Sequence, residues 1–380
     1  MAAGDIYNLH LDNIAAGGDA LGKINGKPIF VEGGAPLETV TCRIINDHNT
    51  WARAELLEII KPSSSRIESV CAFYGKCGGC NLAHIDYDTQ LKAKENILKD
   101  SFLRIGGIKP PEIKIYSSPP LEYRNRMQLH RRQKDQKFGL KGKQSDEIIT
   151  VTDCPVAVPN IRNIFKMNSF DIPPEKDRFT VFSKDDVFLN EGAQGRGKIN
   201  LLGKDIILDA GVFFQSNCFM LEKLILELIK TAKTSDNNFL MCDLYCGVGT
   251  FSVFLNGLFP GVICAEENKT SVSIARENLK SVKTEFLALR DSEWQRAIFD
   301  KKNKIGFAVI DPPRAGLNKK FALSLSREGP SVLAYVSCDP ASLSRDSKIL
   351  TSGGYKLKDL MLFDFYPQTS HIESLAVFEK

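Results

Sequence analysis

The stretch Asp243-Leu244-Tyr245-Cys246-Gly247-Val248-Gly249-Thr250 decides the fold. An apolar run from Phe239 to Tyr245 enters a turn whose glycines, Gly247 and Gly249, let the backbone approach a ligand at the N-terminus of the next helix. A dinucleotide fingerprint would want a third glycine at position 252. Ser252 stands there, which weakens the nicotinamide reading and leaves a nucleotide-like cofactor. Upstream, Leu221, Leu224, Ile225, Leu228 and Ile229 share one helix face. Downstream, apolar runs recur at 262–265, 307–310 and 332–336, alternating with helical segments such as 271–279. This alternation predicts an α/β domain with a doubly wound parallel sheet that binds its ligand outside the carboxyl ends of the strands. Glu266, about 20 residues beyond the turn at the end of the next strand, is placed to accept from a ribose hydroxyl.

Two further strand ends carry chemistry to the same edge. In Asp311-Pro312-Pro313-Arg314 the two prolines cannot continue a central strand, so the chain leaves the sheet with the Asp311 carboxylate at the ligand side. Ser337-Cys338-Asp339-Pro340 puts a thiol at the tip of an apolar strand, near helix N-termini that favour thiolate, and makes Cys338 a candidate nucleophile. Cys242, Cys246 and Cys264 lie inside strands or turns and read as small hydrophobes.

The first 60 residues read differently. Short β-rich pieces at 7–11, 28–31, 39–45 and 51–60, separated by glycine pairs and Asn25-Gly26, predict a small antiparallel barrel or sheet. Pro62-Ser63-Ser64-Ser65 then breaks the pattern. A helix opening at Asp88 carries Leu91, Leu98, Phe102 and Ile105 on one stripe and stops at Gly106-Gly107. The resulting division is 1–62, 63–205 and 206–380.

Cys71-x5-Cys77-Gly78-Gly79-Cys80, with Cys154 far downstream before Pro155, has three close thiols and one remote one. That spacing favours iron–sulfur ligation, with a four-cysteine zinc site as the rival, since zinc sites more often pair two CxxC knuckles. Between Arg124 and Lys143 stand eight Lys/Arg against the single acid Asp135, interleaved with His130 and Phe138. Such a stretch is either a solvated strand pair or a nucleic-acid contact.

Composition bounds the rest. With 380 residues, 43% hydrophobic and 25% charged, the chain has the make-up of a globular protein of two or three domains. The net charge of +4 decides little on its own. No apolar run approaches a membrane span of roughly 18 residues and no signal peptide is visible, so a cytoplasmic protein with reduced cysteines is expected. Nothing demands more than a monomer.

Taken in order, Cys71-x5-Cys77-x2-Cys80, Tyr123-Arg124-Asn125-Arg126, Asp153-Cys154-Pro155, Phe214-Gln215, the 243–247 turn, Asp311-Pro312-Pro313-Arg314 and Ser337-Cys338-Asp339-Pro340 resemble the RNA 5-methyluridine methyltransferase family over nearly the whole chain. The N-terminal barrel, with Ile29-Phe30-Val31-Glu32 and Pro36-Leu37-Glu38, resembles the TRAM RNA-binding domain of the ribosomal-RNA branch, although Leu37 stands where the family often has glycine. The resemblance implies a Rossmann-like class I methyltransferase sheet, a TRAM/OB-like barrel and a central α+β domain with an iron–sulfur cluster and an RNA-binding insert. It implies S-adenosylmethionine as cofactor, with Gln215, Tyr245, Thr250, Glu266, Asp291 and Asp311 around it, and a [4Fe-4S] cluster on Cys71, Cys77, Cys80 and Cys154. It further implies that Cys338 is the nucleophile and Glu373, in His371-Ile372-Glu373-Ser374, the general base, with Arg124, Arg126, Arg131 and Arg132 touching RNA.

The implied substrate is 23S ribosomal RNA, and the implied product 5-methyluridine. The same chemistry on transfer RNA is the first alternative. Cytosine-5 RNA enzymes tend to carry a cysteine after the double proline, where Arg314 stands, and adenine-N6 enzymes need no Cys338. An iron–sulfur redox protein and a non-catalytic RNA-binding protein are the rivals from other classes.

Overall fold

The computed structural model describes residues 1–167, 176–192, 194–299 and 304–380. Its largest sheet has eight strands in the order Thr284–Leu287, Val262–Ala265, Leu240–Leu244, Ile305–Ile310, Val332–Ser337, Glu373–Glu379, Lys356–Phe363, Ile113–Tyr116. The first five run parallel, as the βα alternation predicts. The sheet is not wholly parallel, however, because Glu373–Glu379 pairs antiparallel with both of its neighbours. Its connection from Lys356–Phe363, residues 364–372, is shorter than the roughly dozen residues a parallel crossover needs. Successive residues of a strand face opposite sides. Met241 and Val309 therefore pack with Leu221, Leu224 and Leu228 on one face, while Cys242 and Ile310 pack with Phe102, Phe321 and Leu325 on the other. The three strand cysteines are buried, as their apolar setting suggests.

Residues 6–61 form a closed five-stranded barrel, which includes a strand at Ala20–Ile24 that the alternation pattern did not reveal. It also holds one parallel pair, Lys27–Glu32 with Ala52–Lys61, so it is not purely antiparallel. Leu9, Leu11, Val31, Val40 and Ile44 fill it, with Leu82 and Ile85 packed underneath. Leu37 lies at φ 66°, in the left-handed region that favours glycine, and is 64% exposed. Little burial is lost on trimming it. Leu37→Gly should therefore relieve about 1–2 kcal/mol of backbone strain against about 0.5–1 kcal/mol of added chain entropy. A small rise in thermal midpoint, read by calorimetry, is the expected result.

The 124–143 stretch lies in a second sheet, where Arg126–Arg131 pairs with Phe138–Lys141 on one side and Arg178–Lys184 on the other. The helix of the central segment spans Tyr87–Ser101 and starts behind Asp86, whose carboxylate accepts from Thr89 N–H. Its buried face differs from the expected stripe: Leu98 and Phe102 are buried, but Ile105 is 44% exposed and Gln90 and Lys94 are fully buried. The reason is polar demand from a neighbouring loop, described below.

Candidate active site

The antiparallel ladder between Val332–Ser337 and Glu373–Glu379 sets the centre of the site. Val336 pairs with Leu375 and Ser337 with Ser374, and Ser374 Oγ donates to the Ser337 carbonyl at 3.2 Å. One step further out, the next residues on the two strands are Cys338 and Glu373. The Glu373 side chain is buried and Cys338 is half-buried. Asp311 follows the adjacent strand and donates its N–H to Leu244 O at 3.2 Å, which fixes the double-proline exit beside the glycine turn. Gln215 Nε2 donates to Asp311 Oδ2 at 3.4 Å.

The electrostatics couple these groups. Burial raises Glu373 well above the usual carboxylate range and Asp311 adds to it, while Arg314 opposes. Burial also pushes Asp311 up to about 7. The Cys338 thiol is pushed up to about 12 by desolvation and by the Glu373 and Asp311 carboxylates, with Arg314 pulling it down. This differs from the sequence expectation that helix N-termini would favour thiolate: burial of the sulfur first, and then the two carboxyl groups beside it, favour the neutral thiol. Arg314, whose Nη2 lies 3.2 Å from His371 Nδ1, acts on the thiol electrostatically, whereas the sequence reading used it only within the double-proline motif and to set the family apart. Its position across from the thiol could not be read from the motif. Replacing it with glutamine removes the cation that lowers the thiol's pKa. Arg314→Gln should therefore shift the rate of Cys338 alkylation to higher pH, measured as a pH profile with iodoacetamide.

The other sequence-predicted cofactor residues line the same strand ends. Tyr245, at φ 61°, donates its hydroxyl to Asp291 Oδ2 at 2.9 Å and packs edge-on against Trp294 at 4.5 Å. Glu266 accepts from Gly247 N–H at 3.1 Å and Asn268 N–H at 2.8 Å. Thr250 opens the helix Thr250–Leu255, after Gly249 at φ 79°. Gln215 Oε1 is buried without a hydrogen-bond partner among the described residues. Two desolvated carboxyls and an unpaired amide oxygen suit a ligand that carries both positive charge and donors.

Among the described residues, no group of three or more His, Cys, Asp or Glu is arranged to hold a metal ion. Cys71, Cys77, Cys80 and Cys154 nonetheless converge. Cys80 is pushed up to about 12 by burial and by the charges of Cys154, Cys77 and Cys71, with Arg124 opposing. Cys154 is pushed up to about 11, by burial first and also by Cys71 and Cys77. All four are free thiols. Burial and neighbouring thiol charge disfavour the ionisation of Cys77, Cys80 and Cys154, so as thiolates they would need a cationic partner.

The four arginines are all half-buried. Arg124 Nε donates to Arg126 O at 3.4 Å, and its charge reaches both the cysteines and Tyr366. Arg126 donates to the Ala210 and Val212 carbonyls at 3.4 and 3.2 Å. Arg131 stacks on Phe138 at 5.0 Å, and Arg132 is paired with Asp135. A groove of about 460 Å³ runs from Gly18 and Arg53 of the barrel past Cys80 to Cys338, Arg314 and His371.

A doubly wound sheet with a nucleotide-type turn, and a thiol and a carboxyl brought together at its edge, mark the class I methyltransferase fold. Residues 196–380 match the tRNA (Uracil-5-)-methyltransferase family and residues 4–57 the TRAM domain. An uncharacterized RNA methyltransferase of Treponema denticola is 32% identical, with 94% of each chain covered. The 23S rRNA (uracil(1939)-C(5))-methyltransferase RlmD of Marinomonas sp. is 28% identical, covering 99% of this chain and 96% of its own. The crystal structure of Pyrococcus abyssi tRNA (uracil-54, C5)-methyltransferase in complex with S-adenosyl-L-homocysteine shares the fold, with TM-score 0.73 at 22% identity, covering 98% of this chain and all of that one. The chain belongs to the RNA uracil-5-methyltransferase family and is an S-adenosylmethionine-dependent enzyme with an N-terminal TRAM domain. No helix among its described residues is long and apolar enough to cross a membrane.

Proposed function

We propose that this chain methylates carbon 5 of a uridine in 23S ribosomal RNA, with Cys338 as nucleophile and Glu373 as base. The observation that carries the reading is the strand register that sets Cys338 and Glu373 side by side at the sheet edge. Uracil carbon 5 is too weakly nucleophilic to attack a sulfonium methyl unaided. The Cys338 sulfur, on losing its proton, adds to carbon 6 and moves the double-bond electrons toward carbon 5. S-adenosylmethionine supplies the methyl group on a positively charged sulfur. The Glu373 carboxylate then takes the carbon-5 proton, the double bond re-forms, and the carbon–sulfur bond breaks to return the thiolate. Its raised pKa makes Glu373 the stronger base for that step.

On the cofactor side, Asp311, Gln215, Tyr245, Thr250, Glu266 and Asp291 hold the methyl donor in this reading. Cys71, Cys77, Cys80 and Cys154 hold a [4Fe-4S] cluster that staples the 71–80 loop to the segment around Cys154. Arg124, Arg126, Arg131 and Arg132 support the RNA. The flipped base enters along the groove, leaving its stack at a cost of a few kcal/mol. The ribosomal substrate is supported by relatives named RlmD in Marinomonas and Vibrio. Tritiated S-adenosylmethionine with unmodified ribosomal or transfer RNA, followed by nucleoside analysis, tests this. 5-Methyluridine in the large ribosomal RNA is the expected product. The same nucleoside only in transfer RNA would keep the chemistry and overturn the substrate, and none in either would overturn both.

A further inference from the structure

The loop 364–371, which leads into the strand that carries Glu373, makes most of its polar contacts with residues far away in the chain. Lys94 Nζ donates to Asp364 Oδ1 at 2.5 Å and to the Tyr366 carbonyl at 3.0 Å, and both members of the ion pair are fully buried. Tyr123 Oη donates to the Pro367 carbonyl at 2.8 Å. Gln368 is the most constrained. It stands at φ 68°, where a side chain is strained. Its N–H donates to Gln90 Oε1 at 2.8 Å, its Oε1 accepts from Gln90 Nε2 at 3.0 Å, and its carbonyl accepts from the N–H groups of Asn81 and Leu82 at 3.1 and 3.0 Å. Asn81 also accepts from Ser370 N–H at 2.9 Å and donates to Ser370 Oγ at 3.1 Å and to the barrel carbonyl of Gly17 at 2.7 Å. A Cβ on Gly18 would come within 2.4 Å of Asn81 Nδ2, so the barrel turn reaches this junction only through glycine.

Fully buried polar side chains on the helix Tyr87–Ser101 need a use, since each costs free energy unless paired. Here every partner of Lys94, and both Gln368 contacts of Gln90, lie in the loop that enters the base's strand. We infer that Gln90, Lys94 and Asn81 are positioning residues for methyl transfer: they fix the 364–371 loop and so aim His371 and Glu373 at Cys338. The inference rests on the reading of Cys338 and Glu373 as nucleophile and base. The conformation of Gln368 is held from outside, so loosening Gln90 frees the loop to leave it. A displacement of about 1 Å at reacting groups costs on the order of a hundredfold in rate.

The test follows a single turnover on unmodified ribosomal RNA with tritiated S-adenosylmethionine. Resolving the methylated adduct on Cys338 requires the carbon-5 proton to be removed, so the rate at which free 5-methyluridine RNA appears, read against the adduct held on a denaturing gel, reports the placement of Glu373. Gln90→Met keeps the volume and removes the bonds to Gln368, together with those to the Leu82 and Ile85 carbonyls. The rate of release is read per S-adenosylmethionine-binding site, so that misfolded protein does not count. It should fall on the order of a hundredfold, with affinity for S-adenosylmethionine within about twofold of the wild type. An unchanged rate per binding site would overturn the positioning role, because a side chain that serves stability alone would lower only the number of sites. Should Gln90→Met fail to fold, Asn81→Ala, at the half-buried edge of the same junction, decides in the same way. A wild-type protein that binds S-adenosylmethionine yet releases 5-methyluridine from neither ribosomal nor transfer RNA would instead overturn the nucleophile and base assignments.

Discussion

Cys338→Ala is expected to abolish methyl transfer, lowering turnover by a factor on the order of 10⁴ or more, as removal of an enzyme's nucleophile commonly does. No other described thiol can replace it. Cys246, which follows a neighbouring strand, is buried and held well above the usual thiol range by contact with Cys264 and by burial. The substitution leaves the ladder beneath it intact, so thermal midpoint and affinity for S-adenosylmethionine should stay near those of the parent. Iron content should also be unchanged, because Cys338 does not belong to the four-cysteine group. Cys77→Ala is the matching control: it should lose iron and stability together. Equal loss of iron in both variants would break the separation of the two roles, and retained turnover in Cys338→Ala would remove covalent catalysis altogether.

Glu373→Gln should stop the reaction one step later. Without a base the carbon-5 proton stays and the thiol cannot be expelled, so a methylated protein–RNA adduct should accumulate while turnover falls at least about a hundredfold. A band that survives denaturation, carrying both RNA and the transferred tritium, is the expected readout. Loss of turnover with no adduct would mean that Glu373 acts before carbon 6 is attacked, as the acceptor of the thiol proton.

Much of this site was legible because the chemistry sits at strand ends. An apolar run followed by Gly-x-Gly, Pro-Pro or Cys-Asp-Pro announces where a strand stops, and parallel strands stop at the same edge. Hence Tyr245, Asp311 and Cys338 could be placed together before any coordinates. Glu373 could not, since it begins a strand; only the antiparallel insertion brings a strand's first residue to the edge where its neighbours end. The strand Ile113–Tyr116 shows the same limit, because nothing in its four residues reveals that it pairs with Lys356–Phe363. The basic stretch was legible only as a count. That Arg126 also donates to the Ala210 and Val212 carbonyls and that Arg132 pairs with Asp135 depends on segments folded against it, which the count does not show. The helix stripe fails because periodicity sorts apolar from polar, whereas Gln90 and Lys94 are polar and buried with partners in two loops: Leu82 and Ile85 just before the helix, and Asp364, Tyr366 and Gln368 far along the chain.

The contacts described above that fix the loop 364–371 join residues 244 to 289 positions apart. Closing so long a span is slow relative to local structure, and loop-closure entropy grows with the length enclosed. The barrel strands and the helix Tyr87–Ser101 lie within the first 101 residues, whereas the thiol–carboxyl pair needs the last strand, whose entry loop docks on surfaces made from those residues. Reactivity is thereby deferred to the end of assembly.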